Sequence, residues 1–414
     1  MRGPRAPVGD VARVLTMARD SGAWSADSRA AVFHDLDGLE GRLAELQAAF
    51  PSGTLHAIAI KANPLVELLR VVVQAGAGLE AASWEEVALA VAAGCPADRI
   101  VFDSPAKTDG ELRQALDLGV WLNADNPAEL ERLRDLGAPG RARIGLRVNP
   151  QVGTGTIAFT STVGRSSKFG VPLSQAAELV HRFPFISGLH VHTGSQGCGL
   201  ELLVAAAEAT AEMAEKLGLA WLDVGGGVPV RYTERDPEPP TLAAWGDALS
   251  GVSAGGSRRL ITELGRSIHA GQGWAVSRVQ EVKDVDGVPT IVVHFGADFL
   301  MRRVYRPDDW DHELVVLDPE GQPRQGEAIP QHVAGPLCFA GDMLARGRLL
   351  PQARRGDLLL VRDCGAYTLS MWSRHCSRGL PPTWGYRRDG LAPLHRGEQP
   401  QDVVRFWSLA DSSR

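Results

Sequence analysis

The sequence predicts an α/β protein in two parts: a (β/α)8 barrel over residues 31–275 and a mostly β domain over 276–414, with residues 1–30 associated with the second part. Three observations carry this. Apolar strand-like runs alternate with helical patterns through the first part, which implies a parallel sheet, and the number of units suits a closed barrel. Past residue 276 the strand-like runs follow one another without helices, separated by Gly, Pro and Asp clusters. A chain of 414 residues with 44% hydrophobic content can bury the core of two domains.

In order, AAVFHDL, LHAIAIKA, GLEAAS, RIVFDS, VWLNA, RIGLRVN, GLHVHTG, AWLDVGG and RLITELG read as strands. Nine candidates exceed the eight a barrel takes, so the first or one of the weaker ones lies outside it. Between them, segments such as 84–93 and 127–136 carry apolar residues at spacings of three and four, with Ser83 and Asn126 placed to cap them. In the second part, AVSRVQEV, TIVVHF, HELVVLD and DLLLVRDCG continue as strands. No internal repeat, low-complexity tract or long linker interrupts the chain.

The net charge of −6 offers no basic footprint for nucleic acid. No stretch approaches the roughly 18 unbroken apolar residues of a membrane span. The amino terminus lacks an apolar segment followed by a small-residue cleavage site, so the cytoplasm is the expected compartment. Five cysteines, an odd number without a C-x-x-C pair, argue against a disulfide framework and a zinc ribbon; reduced thiols and no metal site are expected. Lysine is scarce: Lys61, Lys107, Lys168, Lys216 and Lys283 are the whole set. Lys107, Lys216 and Lys283 read as polar, turn-like or amphipathic positions and Lys168 as part of a loop, whereas Lys61 closes an apolar run ahead of Asn63-Pro64.

In such barrels chemistry gathers at the carboxyl ends of the strands. Lys61, Glu80, His192, Gly225 to Gly227 and Glu263 all fall there. DVGGG lets backbone amides approach a phosphate, and TELGRSIHAG adds Arg266 and a helix start suited to the same anion. One lysine, one imidazole, one glycine nest and one carboxylate are what a pyridoxal phosphate site requires.

The fragments AIKANP, HVHTGSQ, DVGGG, ELGRS, GPLCFAGD and GAYT, in this order over nearly the whole chain, resemble the ornithine/diaminopimelate/arginine decarboxylases of the alanine-racemase-like fold, nearest the diaminopimelate decarboxylase-like branch. The resemblance implies a pyridoxal phosphate barrel, a β domain and a homodimer with shared active sites. Lys61 then resembles the lysine that carries the cofactor, and a lysine beside apolar groups has a lowered pKa that keeps it nucleophilic. His192 resembles the imidazole stacked on the ring, and His190 a buried structural neighbour. Ser195, Gly225, Gly226, Gly227, Gly265, Arg266 and Tyr367 resemble the phosphate shell, and Glu80 an acid near the cofactor edge. Glu263 resembles the carboxylate against the pyridine nitrogen. Alanine racemases carry an arginine there, so Glu263 favours decarboxylation, though amino acid epimerases share it. Cys338 resembles the group that protonates the α-carbon from the partner subunit, and Asp342 an acid meeting the substrate side chain.

Departures from the family concern the substrate. Phe339 stands where diaminopimelate decarboxylases have glutamate and ornithine enzymes aspartate; His294-Phe295-Gly296 replaces a DGG; Arg302-Arg303 replaces Arg-Pro; Cys376 replaces an asparagine; Trp372 and Trp384 are added. Loss of an acid together with Arg302, Arg303, Arg374 and Arg378 points to a substrate with a distal carboxylate or polar group, since guanidinium binds carboxylate bidentately. Diaminopimelate decarboxylase proper and an amino acid racemase or epimerase are the alternatives.

Overall fold

The computed structural model describes residues 8–157, 160–252 and 258–409. The chain divides into two compact units. One comprises residues 40–231 and 237–268, the other 1–39, 232–236 and 269–414.

All nine strand-like runs form strands. The first, β1 (Ala30–Asp35), lies outside the barrel: it pairs with Gly273–Arg278 and Thr383–Arg387 in the β-rich unit. The other eight are β2 (Leu55–Ala59), β3 (Gly78–Ala81), β4 (Ile100–Phe102), β5 (Trp121–Ala124), β6 (Arg143–Asn149), β7 (Ile186–His190), β8 (Trp221–Asp223) and β9 (Arg259–Thr262). Each pairs in parallel with its neighbour in sequence, and β9 returns to β2 with Ile261 opposite Leu55, which closes the barrel. The helices between start where their caps dictate. Ser83 accepts the Glu86 amide, Asn126 accepts that of Glu129, and Thr108 and Glu111 form a reciprocal capping box.

The barrel interior is plugged by apolar side chains. Leu55, Ala57, Val101, Trp121, Trp221 and Ile261 form one buried cluster, with the two indoles edge to face at 5.1 Å. Trp221 occupies the space that Gly145 and Gly188 leave open, where any Cβ would strike its ring. Polar chemistry is thereby confined to the carboxyl ends of the strands.

Lys107 is not a turn-like surface residue. Its ammonium is sealed, donating to the Ser104 and Asn123 carbonyls at 2.6 and 2.8 Å and to Glu129 Oε1 at 2.7 Å. The polarity of its sequence neighbours concealed that three acceptors on different elements converge on it. Glu129→Ala, which leaves that ammonium buried and unpaired, is expected to destabilise by about 3–5 kcal/mol. Lys107→Met with Glu129→Leu should recover most of this loss in urea denaturation, whereas an equal loss in both variants would mean that the unpaired ammonium is not its cause.

In the β-rich unit, β10 (Gly273–Arg278), β11 (Glu281–Val285), β12 (Val288–Val292), β13 (Leu314–Leu317), β14 (Ala328–Ala334), β15 (Met343–Pro351), β16 (Leu358–Val361), β17 (Thr383–Arg387) and β18 (Gly390–His395) join β1. They form a six-stranded sheet, β13-β16-β10-β1-β17-β18, and a four-stranded sheet, β11-β12-β14-β15. The expected division at 275/276 falls inside β10, because that strand is hydrogen-bonded to β1 and β16. Period-two alternation explains why β16 is apolar throughout: Leu358 and Leu360 enter one core with the helix Val8–Asp20, while Leu359 and Val361 enter the other.

Candidate active site

Lys61 lies in the one-turn segment Ile60–Ala62 directly after β2. The Ala59 amide donates to the Leu264 carbonyl at 3.0 Å, which ties this segment to the connection after β9 that bears Glu263. Asn63 Oδ1 accepts the Leu65 amide and turns the chain away. The Lys61 ammonium sits 2.5 Å from a Glu80 carboxylate oxygen; the lysine side chain is 32% exposed and that of Glu80 fully buried. Burial pushes the Glu80 carboxyl well above the usual carboxylate range against the pull of Lys61.

Glu263 is buried just past β9. His192 Nδ1 lies 3.2 Å and His190 Nε2 3.4 Å from its Oε2, while Oε1 has no hydrogen-bond partner. Burial alone would raise this carboxyl, but the two imidazoles hold it well below the ordinary range. Asp223, at the end of β8, is pushed well above its ordinary value by burial and then by the Glu263 charge. The negative charge of this pair therefore resides on Glu263.

His192 Nδ1 also lies 3.3 Å from the Gly226 amide, so it serves the carboxylate when protonated and accepts from the glycine when not. Burial lowers its pKa, with Glu263 opposing. Gly225 adopts φ +63°, and its amide donates to Asp223 Oδ1 at 2.9 Å. A Cβ would strike the Glu263 backbone carbonyl at Gly226, that of Val191 at Gly225 and the Leu203 side chain at Gly227, so this run has room for glycine alone. Arg266, directly after Gly265, donates through Nε and Nη2 to Ser195 Oγ at 3.1 and 3.0 Å. A lysine, an orphaned anionic oxygen, a bare glycine run and a hydroxyl–guanidinium pair within one unit fit pyridoxal phosphate.

Three neighbours escaped the sequence reading: Asp103, Arg147 and Asp223. Each stands in the last residues of a strand run or directly after it, and asking which polar side chain sits at each carboxyl end would have found them.

The β-rich unit holds the remaining expected residues. Cys338 is exposed, and its amide lies 3.4 Å from Cys376 Sγ. The hydrogen bond to Cys376, then that thiol's charge, push the Cys338 pKa up, so the thiol keeps its proton at neutral pH. Phe339 lies parallel to Tyr305 with ring centres 6.0 Å apart, and His375 meets it edge-on. Arg302 lies over the rings of Trp310 and Tyr367, each at 4.7 Å, and Tyr367 has a left-handed backbone, φ 57°.

Three residues expected at the substrate have partners within the β-rich unit. Asp342 is buried, its two oxygens taken by the Ala297 and Leu337 amides at 2.7 Å, so within this unit it holds loops together. Arg303 pairs with Asp311 at 3.0 Å. Arg378 pairs with Asp298 at 2.7 Å and donates to the His294 carbonyl. The expected anion receptors thus have protein carboxylates already; Arg374 likewise pairs with Glu398.

A closed parallel barrel with this cluster at its strand ends, in a chain that also builds a β-rich unit, defines a pyridoxal-phosphate enzyme of the alanine-racemase-like class. Residues 36–270 match the family model described as the pyridoxal binding domain of pyridoxal-dependent decarboxylases. The diaminopimelate decarboxylase of Zymomonas mobilis is 33% identical over 375 residues, 87% of each chain, and that of Pseudomonas fluorescens 35% identical over 339 residues, 78% of this chain and 79% of that one. A crystal structure of diaminopimelate decarboxylase from Helicobacter pylori complexed with L-lysine matches with a TM-score of 0.84 at 26% identity, covering 94% of this chain and 98% of that one. The chain belongs to the pyridoxal-dependent decarboxylase family, in its diaminopimelate decarboxylase-like branch. It is a pyridoxal-phosphate-dependent amino acid decarboxylase. No helix among the described residues is long and apolar enough to cross a membrane.

Proposed function

We propose that the chain removes the α-carboxylate of an amino acid with a distal carboxylate or polar group, Lys61 holding the cofactor, Glu263 serving its ring nitrogen and Cys338 supplying the proton to the α-carbon. The observation that carries this reading is the orphaned, anionic Glu263 oxygen in the same buried cluster as Lys61. When bound, pyridoxal phosphate supplies an electron sink for the pair left as carbon dioxide departs. Ser195, Arg266 and Gly265 would hold the phosphate, with the backbone of Gly225 to Gly227 and Tyr367 assigned by resemblance. His192 covers the ring, and Glu80 orients the Lys61 amine. A thiol that keeps its proton suits Cys338 as a general acid.

The substrate class rests on Phe339. An aromatic ring stacked on Tyr305 gives a distal ammonium no counter-charge, which favours substrates other than lysine or ornithine. With Arg303, Arg374 and Arg378 already paired, the Phe339, Tyr305 and His375 rings are the groups offered to the distal end. Diaminopimelate itself is the second reading, favoured by the activity named for the relatives. Turnover in deuterated water decides between decarboxylation and epimerisation: carbon dioxide release is expected, and α-deuterium in retained amino acid would overturn the assignment. Phe339→Glu should raise kcat/KM for ornithine or diaminopimelate by about 10- to 100-fold, the worth of one charge-assisted hydrogen bond. Efficient ornithine turnover by the unaltered enzyme would sink this role of Phe339.

The active enzyme in this reading is a cytoplasmic homodimer with shared sites; the five free cysteines suit a reducing compartment. Mixing Lys61→Ala with Cys338→Ala protein should then restore activity, up to about a quarter of wild type per site for random exchange. No recovery despite proven subunit exchange would mean that Cys338 does not act across an interface.

A further inference from the structure

His190, expected only as a buried structural residue, is sealed from solvent, and its Nδ1 has no hydrogen-bond partner. Its Nε2 faces two carboxylates, Glu263 Oε2 at 3.4 Å and Asp103 Oδ2 at 3.7 Å, and Asp103 Oδ2 lies 3.9 Å from Arg147 Nη1. Arg147, Asp103, His190 and Glu263 thus form a buried line of alternating character drawn from β6, β4, β7 and β9 or the residues directly after them. Two carboxylate oxygens on one nitrogen fix the tautomer, because only an N–H is stable between them. The decisive feature is an asymmetry: both imidazoles address Oε2 of Glu263, and Oε1 alone is left without a partner.

We propose that His190 is a positioning residue for Glu263: its Nε2–H, held in that tautomer by Asp103 and Arg147, donates to Oε2 and leaves Oε1 turned toward the ring nitrogen of the cofactor. This rests on the reading that Glu263 serves that nitrogen. Loss of the donor frees the carboxylate to rotate and raises the free energy of its charged form, so it holds a proton on the ring less well.

The test uses holoenzyme reconstituted with pyridoxal phosphate carrying 15N in its ring. In wild type the 15N resonance should report a protonated nitrogen across the pH range in which the enzyme is folded. In His190→Leu it should move toward the unprotonated position at equal cofactor content, with kcat down about 10- to 100-fold and KM little changed, as for one lost charge-assisted hydrogen bond. His190→Gln, whose amide N–H reaches the Nε2 position, should restore both. A folded, loaded His190→Leu enzyme with an unaltered resonance overturns the proposal, as does a Gln variant no better than Leu. If Leu prevents folding, Gln against the shorter Asn carries the same decision, with Gln expected to retain the wild-type resonance and Asn to lose it. Glu263→Gln is the control: if it leaves the resonance in place, the reading of Glu263 has failed, whereas a shift there with none in the His190 variants refutes this inference alone.

Discussion

Lys61→Ala is expected to lose turnover by about 10^4-fold or more, the scale on which removing a covalent nucleophile acts. Borohydride reduction of the wild-type holoenzyme should fix the cofactor on the peptide containing Lys61, and the variant should yield no such adduct. The sequence offers few substitutes, with five lysines in all. Lys107 is sealed among three acceptors and cannot reach a ligand without breaking a buried ion pair. The variant should still fold, because Glu80, left without its ammonium, sits where burial already favours the protonated acid. A reduced adduct on another lysine in wild type, or turnover surviving in Lys61→Ala, would remove the basis of the proposed mechanism.

Glu263→Gln should lower kcat by about 10^2- to 10^3-fold, the usual loss when one preorganised electrostatic partner is removed from a reacting centre. Cofactor affinity should fall far less, since Ser195, Arg266 and the glycine run lie outside the exchanged atoms. The amide is nearly isosteric, but it cannot carry the charge that His190 and His192 now stabilise, and its N–H2 faces imidazole nitrogens arranged for an acceptor. Measuring kcat and the cofactor dissociation constant on the same preparation separates the two effects. Equal turnover in variant and wild type would mean Glu263 does not face the ring nitrogen, while cofactor loss without a change in kcat would make it a binding residue.

Much of this protein was legible in the sequence, because the relevant signals are local. An apolar run of four to seven residues forms a strand wherever both faces are to be covered, so all nine runs in the first part appear as strands, and Ser83 and Asn126 cap helices because a side-chain oxygen satisfies amides three residues away. The motifs at strand ends were likewise readable, since a parallel barrel brings those ends together whatever lies between. Tertiary structure decided what depends on distant partners. Which of nine strands to leave out turned on the hydrogen bonds of β1 to β10 and β17, far along the chain. Lys107 looked like a surface residue until Glu129 and two carbonyls converged on it. Arg303 and Arg378 suited an anionic substrate by composition, yet Asp311 and Asp298 already hold them. Residue type determines what a charge could bind; only the folded chain, by fixing which opposite charge lies within a few ångströms, determines what it does bind.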